Sequence, residues 1–170
     1  MPDHQQESGF RPNDALPRRK HLRRLDRIFV PGAPLFFLTV CVRERLGVLA
    51  NPTIAGILVD AWRDSGSDHG WLVGRFVVMP DHVHSFAAPA DGSPKGLSAY
   101  LRYWKRSTAH EIRRSLPTFA WQREFFDHLL RSAESYGEKW EYVRENPVRA
   151  GLVADASQWP FQGEIAPLAW

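Results

Sequence analysis

His82 and His84 have the spacing of a pair of metal ligands on a β-strand, with one apolar residue, Val83, between them. Residues i and i+2 of a strand point to the same face, so both imidazoles project together and Val83 points the other way. Neutral imidazoles are common ligands of divalent metal ions. The spacing predicts either a metal site or two partly exposed histidines that merely alternate.

A tyrosine and an asparagine share a polar face of the last predicted helix. That helix has an apolar stripe at i, i+4, i+7 and i+11, which consists of Tyr136, Trp140, Val143 and Pro147. At about 100° per residue, Tyr142 lies away from the stripe, and Asn146 follows it by one turn. Glu138 and Lys139 lie on the same side. These residues fit either a reactive face or a surface tyrosine above an asparagine that ends the helix before Pro147.

Apolar periodicity and turn residues predict the elements that position these groups. Short apolar and β-branched runs predict strands over 34–42, 71–79 and 82–88, and a fourth strand within 121–130. Helical spacing predicts a helix that starts at Asn51-Pro52 and ends at Ser65–Ser67, one over 97 to about 114, and one over 133–146 that Pro147 closes. The tail to Trp170 is predicted to be irregular.

This order of elements predicts an α+β fold, the ferredoxin-like split β-α-β sandwich. We expect an antiparallel sheet with helices on one face and an additional C-terminal helix that carries Tyr142. Residues 1–20 are predicted to be a poorly ordered segment, and 21–165 a single domain with a tail to 170. The fold alone does not specify an activity, since it also occurs in RNA-binding modules.

The composition favours a protein that binds a polyanion and has no membrane-spanning segment. The 170 residues carry 22 Lys+Arg and 19 Asp+Glu, and residues 18–27 (RRKHLRRLDR) hold six basic residues and one acid. Such a run fits phosphate contacts or a solvated arm. Cys41 is the only cysteine, which excludes a disulfide framework. No run approaches the roughly 18 apolar residues of a membrane span, and the polar start lacks a signal peptide's apolar core, so we expect a cytoplasmic protein.

Three separated motifs resemble those of the REP-associated tyrosine transposases, which belong to the HUH superfamily of single-strand nucleases. They are VVMPDHVH (77–84), WQREFFDHLLR (121–131) and YVRENPVRAGLV (142–153). The resemblance runs from about His21 through 159–161, which is most of the chain. It implies cleavage and rejoining of single-stranded DNA at REP hairpins, a nucleoid-associated location, and an open choice between monomer and homodimer.

The resemblance also implies a role for individual residues. The two histidines of the family motif match His82 and His84, and in the family they bind a divalent ion, Mg²⁺ or Mn²⁺. The family asparagine that completes the metal site matches Asn146. The tyrosine four residues earlier, Tyr142, is the nucleophile that forms a 5′-phosphotyrosine. No residue of the sequence identifies the base, and Glu138 and Lys139 are candidates for auxiliary roles.

Candidate DNA contacts come from charge and aromatic content. The basic candidates are Arg18, Arg19, Lys20, Arg23 and Arg24 in the N-terminal run, and Arg102, Lys105 and Arg106 on the predicted helix 97–114. Trp104 and Trp121 fit either stacking on unpaired bases or the core. Two other functions stay open on these residues: an RNA-binding module without chemistry, and a metal-dependent hydrolase in which Tyr142 is structural.

Overall fold

The computed structural model of the protein describes residues 34–90, 96–130 and 132–168. Its helices and strands follow in the order β1 (Leu35–Cys41), α1 (Pro52–Arg63), α2 (Ser65–His69), β2 (Trp71–Val78), β3 (His82–Pro89), α3 (Leu97–Ile112), β4 (Phe126–Leu130), α4 (Ala133–Arg144), α5 (Asn146–Arg149) and β5 (Gln162–Glu164). The basic run 18–27 and the predicted N-terminal segment lie outside the described residues. None of the described helices is long and apolar enough to cross a membrane.

The described strands form one antiparallel sheet in the order β4-β1-β3-β2-β5. The first four strands confirm the predicted ferredoxin-like arrangement. The fifth was not predicted: the tail, expected to be irregular, adds Gln162–Glu164 to the outer side of β2.

The two faces of the sheet carry different helices. One face packs under α1 and α3 through residues such as Leu58, Trp62 and Trp104, together with Val40 and Val83 of the central strands. The opposite face packs under α4 and the tail, in a cluster that includes Phe37, Phe86, Tyr136, Val143 and Trp159. Because Val83 belongs to the first face, His82 and His84 belong to the second, which we call the histidine face.

Two predicted helix ends differ from the structure. Asn51 caps α1 as predicted, its side-chain oxygen accepting hydrogen bonds from the amides of Thr53 and Ile54. α1 ends at Arg63, but Ser65–Ser67, the predicted helix end, instead begin a second short helix. Ser65 is buried, and its hydroxyl lies 2.6 and 2.8 Å from the carbonyl oxygens of Trp62 and Trp71. This second helix, α2, ends before Gly70, whose left-handed φ of 68° is one that glycine adopts readily.

The second difference concerns Pro147, which was predicted to close the last helix. α4 ends earlier, at Arg144, and Pro147 lies in the first turn of α5. In a first turn the missing N–H of proline costs no hydrogen bond, so proline can begin a helix there instead of ending one. As a result, Asn146 is the first residue of α5, just beyond the turn at Glu145.

Candidate active site

His82 and His84 converge on a single point of the histidine face. Their Nε2 atoms lie 3.1 Å apart, and the rings meet edge to face. Two atoms that bind one octahedral ion at adjacent positions, each at about 2.1 Å, are about 3 Å from each other. The separation of the two nitrogens therefore fits joint binding of one divalent ion.

The other nitrogen of each imidazole is held by a neighbouring side chain. His82 Nδ1 donates to the Asp81 carboxylate at 2.6 Å, and Arg45 Nε lies 2.6 Å from the second oxygen of that carboxylate. His84 Nδ1 lies 2.8 Å from the Thr39 hydroxyl, which can accept a hydrogen bond from it. These partners leave the Nε2 lone pairs for a cation, as metal-binding histidines require.

Burial keeps both histidines neutral. Burial lowers the pKa of His84 to about 3, and the nearby positive charges of Lys139, Arg45 and Arg149, together with His82, contribute to the same shift. Burial also lowers the pKa of His82, although the Asp81 carboxylate opposes this effect. Since metals bind the neutral imidazole, the pair is in its binding-competent form at neutral pH.

Tyr142 lies on the exposed side of α4 and connects to the histidines through Lys139. The Tyr142 side chain is 60% exposed. Lys139 Nζ lies 5.7 Å from the centre of its ring and 5.1 Å from the ring of Phe37, which in turn stacks on His84 at 5.3 Å. The predicted tyrosine and the predicted histidine pair therefore share one surface.

Arg149 holds Tyr142 and Asn146 together. Its guanidinium lies 4.2 Å above the centre of the Tyr142 ring, and its Nη2 donates to the backbone carbonyl of Tyr142 and to Asn146 Oδ1. The amide oxygen of Asn146 thus faces the side of the helix on which Tyr142 lies.

The metal-ligating residue types at this site are few. The described residues contain no group of three or more His, Cys, Asp or Glu side chains that could hold a metal ion. Asn146, which the resemblance assigns as the third ligand, is half-buried, and its amide oxygen accepts a hydrogen bond from Arg149.

Several predicted residues lie away from this surface. Arg102 and Arg106 are exposed on α3, on the opposite side of the sheet from the histidines, whereas Glu138 is exposed on α4, one turn before Tyr142. Lys105 Nζ lies 2.5 and 2.8 Å from the carbonyl oxygens of Gln122 and Arg123, so this lysine supports the chain segment before β4.

Of the two roles that the sequence left open for Trp104 and Trp121, base stacking and core packing, the structure shows the second. Their exposed fractions are 1% and 8%. Trp104 stacks on Trp62 at 5.4 Å, and Trp121 Nε1 donates to the Thr108 hydroxyl at 2.9 Å. Both rings belong to the core under α1 and α3, the second of the two outcomes that their sequence pattern allowed.

A search of family models finds no match. The chain is 30% identical over 135 residues to the REP-associated tyrosine transposase of Escherichia coli (strain K12), covering 79% of this chain and 78% of the relative. The chain belongs to the REP-associated tyrosine transposases.

One solved structure agrees with this membership, and a second shares the fold. A REP-associated tyrosine transposase bound to a REP hairpin superposes with a TM-score of 0.66 at 27% identity, covering 83% of this chain and 82% of the other. A crystal structure of a candidate transposase from Deinococcus radiodurans gives a TM-score of 0.51 at 17% identity, with 75% and 97% covered, and shares the fold alone.

Four residues of this transposase's site were not predicted from the sequence. Asp81 directly precedes His82, which was a usable signal, and Arg149 follows Tyr142 at i+7 and Asn146 at i+3. These spacings of i+3 and i+7 would place Tyr142, Asn146 and Arg149 on one face of a helix that continued through Glu145. Thr39 and Arg45 had no local signal, because only the strand pairing and the fold of the loop after β1 bring them to the histidines.

Proposed function

We propose that the protein cleaves and rejoins single-stranded DNA at REP-type hairpins through a covalent link to Tyr142. The observation that carries the proposal is the pair of Nε2 atoms, 3.1 Å apart, on the face where Tyr142 is exposed. The relative bound to a REP hairpin supports the choice of substrate. The proposal includes the cytoplasmic, nucleoid-associated location, since its substrate is DNA.

A divalent ion fits the site, and we propose that His82, His84 and Asn146 would hold Mg²⁺ or Mn²⁺. When bound, such an ion supplies Lewis-acid polarisation of the scissile phosphate and stabilises its developing charge. Asn146 Oδ1 accepts a hydrogen bond from Arg149 and keeps a second lone pair for a ligand role.

Tyr142 acts as the nucleophile in this proposal. Its phenol gives up its proton, its oxygen forms a bond to phosphorus, and the bond from phosphorus to the 3′ oxygen breaks. The departing 3′ oxygen takes up a proton and becomes a 3′-OH, while the 5′ phosphate stays on the tyrosine. Attack by another 3′-OH reverses these changes and joins two strands without an external energy source.

The positive side chains around Tyr142 fit the handling of phosphate. Lys139 and Arg149 lie over its ring, and Arg45 lies beside Asp81 at the other side of the histidines. Cations at a phosphoryl-transfer site bind the substrate and stabilise negative charge in the transition state.

The test is an adduct assay on end-labelled oligonucleotides that copy the inverted repeats in the DNA flanking this gene. With Mn²⁺ or Mg²⁺ we expect a protein–DNA adduct that survives denaturing electrophoresis and carries the strand's 5′ phosphate. Free cleaved strand without adduct would instead indicate a hydrolase that uses water, and a shift seen only under native conditions would indicate binding without chemistry.

The alternative of an RNA-binding module is less well supported. A ferredoxin-like module that binds RNA stacks bases on aromatic residues of its central strands. Here the aromatic residues of the central strands β1 and β3 are Phe36, Phe37 and Phe86, and all three are buried. The central strand β3 instead carries His82 and His84 at its N-terminal end.

Replacing Asp81 with alanine is expected to weaken Mn²⁺ binding by roughly 10- to 100-fold, the usual cost of losing a side chain that orients a metal-binding histidine. Isothermal titration calorimetry with Mn²⁺ measures the change. Asp60→Ala is the matched control, since Asp60 pairs with Arg63 on the exposed side of α1. Equal affinities in Asp81→Ala and the parent would contradict the orienting role.

Replacing Arg149 with alanine is expected to slow adduct formation in single turnover by about 100-fold, because a misplaced reacting group costs about that much. Hairpin affinity, measured by fluorescence anisotropy, should fall far less. Arg144→Ala, which removes a guanidinium 3.5 Å from Glu141 on the same helix, should leave the rate unchanged. A loss confined to affinity would show that Arg149 binds DNA without positioning Tyr142.

A further inference from the structure

A row of side chains crosses the sheet at the level of His84. In the antiparallel register, Thr39 of β1 pairs with His84 of β3 on one side and with Phe126 of β4 on the other. Side chains of directly paired residues point to the same face of a sheet. Phe126 therefore projects on the histidine face, in line with a proposed metal ligand.

The packing of β4 confirms this direction. Leu130 is buried in the cluster that contains Tyr136 and Phe37, whereas Leu129 packs into the cluster on the opposite face. Alternation along the strand places Phe126 and His128 with Leu130. His128 pairs with Phe37, the residue that stacks on His84.

Phe126 is a large, partly exposed apolar side chain on the histidine face. Its side chain is 40% exposed, and His128 is also exposed. Neighbouring strands lie about 4.8 Å apart, so the backbone of Phe126 is about 10 Å from that of His84. Lys139, which lies over the ring of Phe37, supplies positive charge on the same face.

We propose that Phe126 is a stacking platform for an unpaired DNA base next to the scissile phosphate, with His128 beside it. This inference rests on the proposed function and adds a base-binding subsite to it. Aromatic rings beside a cationic groove bind single strands by stacking on bases, while the cations follow the phosphates. The ring lies one strand beyond Thr39. A base stacked on it would therefore have its adjoining phosphate on the side of the histidines.

The experiment uses the full chain with Tyr142→Phe, so that binding is measured without cleavage. The probe is an oligonucleotide that copies an inverted repeat flanking this gene and its unpaired flank, with 2-aminopurine substituted at each unpaired position in turn. Binding is followed by anisotropy, and stacking by quenching of 2-aminopurine fluorescence.

Phe126→Ala is expected to weaken binding about tenfold or more and to remove quenching at one unpaired position, whereas Phe126→Trp should preserve both. The matched control is Tyr103→Ala, because Tyr103 is 36% exposed on α3, on the opposite side of the sheet. Thermal unfolding midpoints equal to the parent's establish that each variant is folded.

Two results would overturn the subsite: affinity and quenching in Phe126→Ala that match the parent, or an equal loss in Tyr103→Ala. Neither result touches the nucleophile, which the adduct assay tests separately. Conversely, an adduct that persists in Tyr142→Phe would refute the proposed chemistry and leave the binding data for Phe126 valid.

Discussion

Tyr142→Phe is expected to abolish the covalent protein–DNA adduct and to reduce strand cleavage by at least about a thousandfold, the scale of loss when a nucleophile is removed from a site that acts as a unit. The ring remains in place, so its contact with the Arg149 guanidinium at 4.2 Å is preserved and only the attacking oxygen is lost. Denaturing electrophoresis of labelled hairpins measures the adduct, and anisotropy should show unchanged affinity.

A second tyrosine on the same helix provides the matched control. Tyr136→Phe removes the same hydroxyl from a ring that is buried against Phe86, at 4.8 Å, in the cluster under α4. Adduct formation should survive this change, since the hydroxyl lies in the core. If Tyr142→Phe still formed an adduct, another residue would be the nucleophile, and cleavage without adduct would support the hydrolase alternative.

Much of the fold followed from local patterns. The central strands are continuous apolar or alternating runs, and Asn51-Pro52 is a helix start whose capping bonds are both present. β5 had no such signal, because Gln162–Glu164 is short and polar and is held by backbone pairing to β2. The sequence predicts that Asn146-Pro147 ends the last helix, but proline is common both just after a helix and in the first turn of the next one.

The site was predictable only where its parts are close in sequence. The HxH spacing and the interval from Tyr142 to Asn146 were visible, but each pattern alone also fitted a structural role. Thr39 contacts His84 across 45 residues of chain, and Phe126 reaches the same row through a second strand pairing. Such contacts depend on sheet register, which a single sequence does not specify for distant strands.

His82→Ala and His84→Ala are the second pair of changes with a large expected effect. Each should remove Mn²⁺ binding detectable by calorimetry and lower adduct formation by at least about a hundredfold, since the proposed ion has only three protein ligands and supplies much of the charge stabilisation. His84→Ala should be the more severe of the two, because the His84 ring also stacks on Phe37 and hydrogen-bonds with the Thr39 hydroxyl. His110→Ala is the control, because that imidazole is 80% exposed on α3, on the opposite side of the sheet.

Loss of activity with unchanged Mn²⁺ binding would assign the histidines to DNA binding or to proton transfer, and full adduct formation in EDTA would exclude a metal role. Loss of both, with hairpin affinity retained, is the result that the 3.1 Å separation of the two Nε2 atoms predicts.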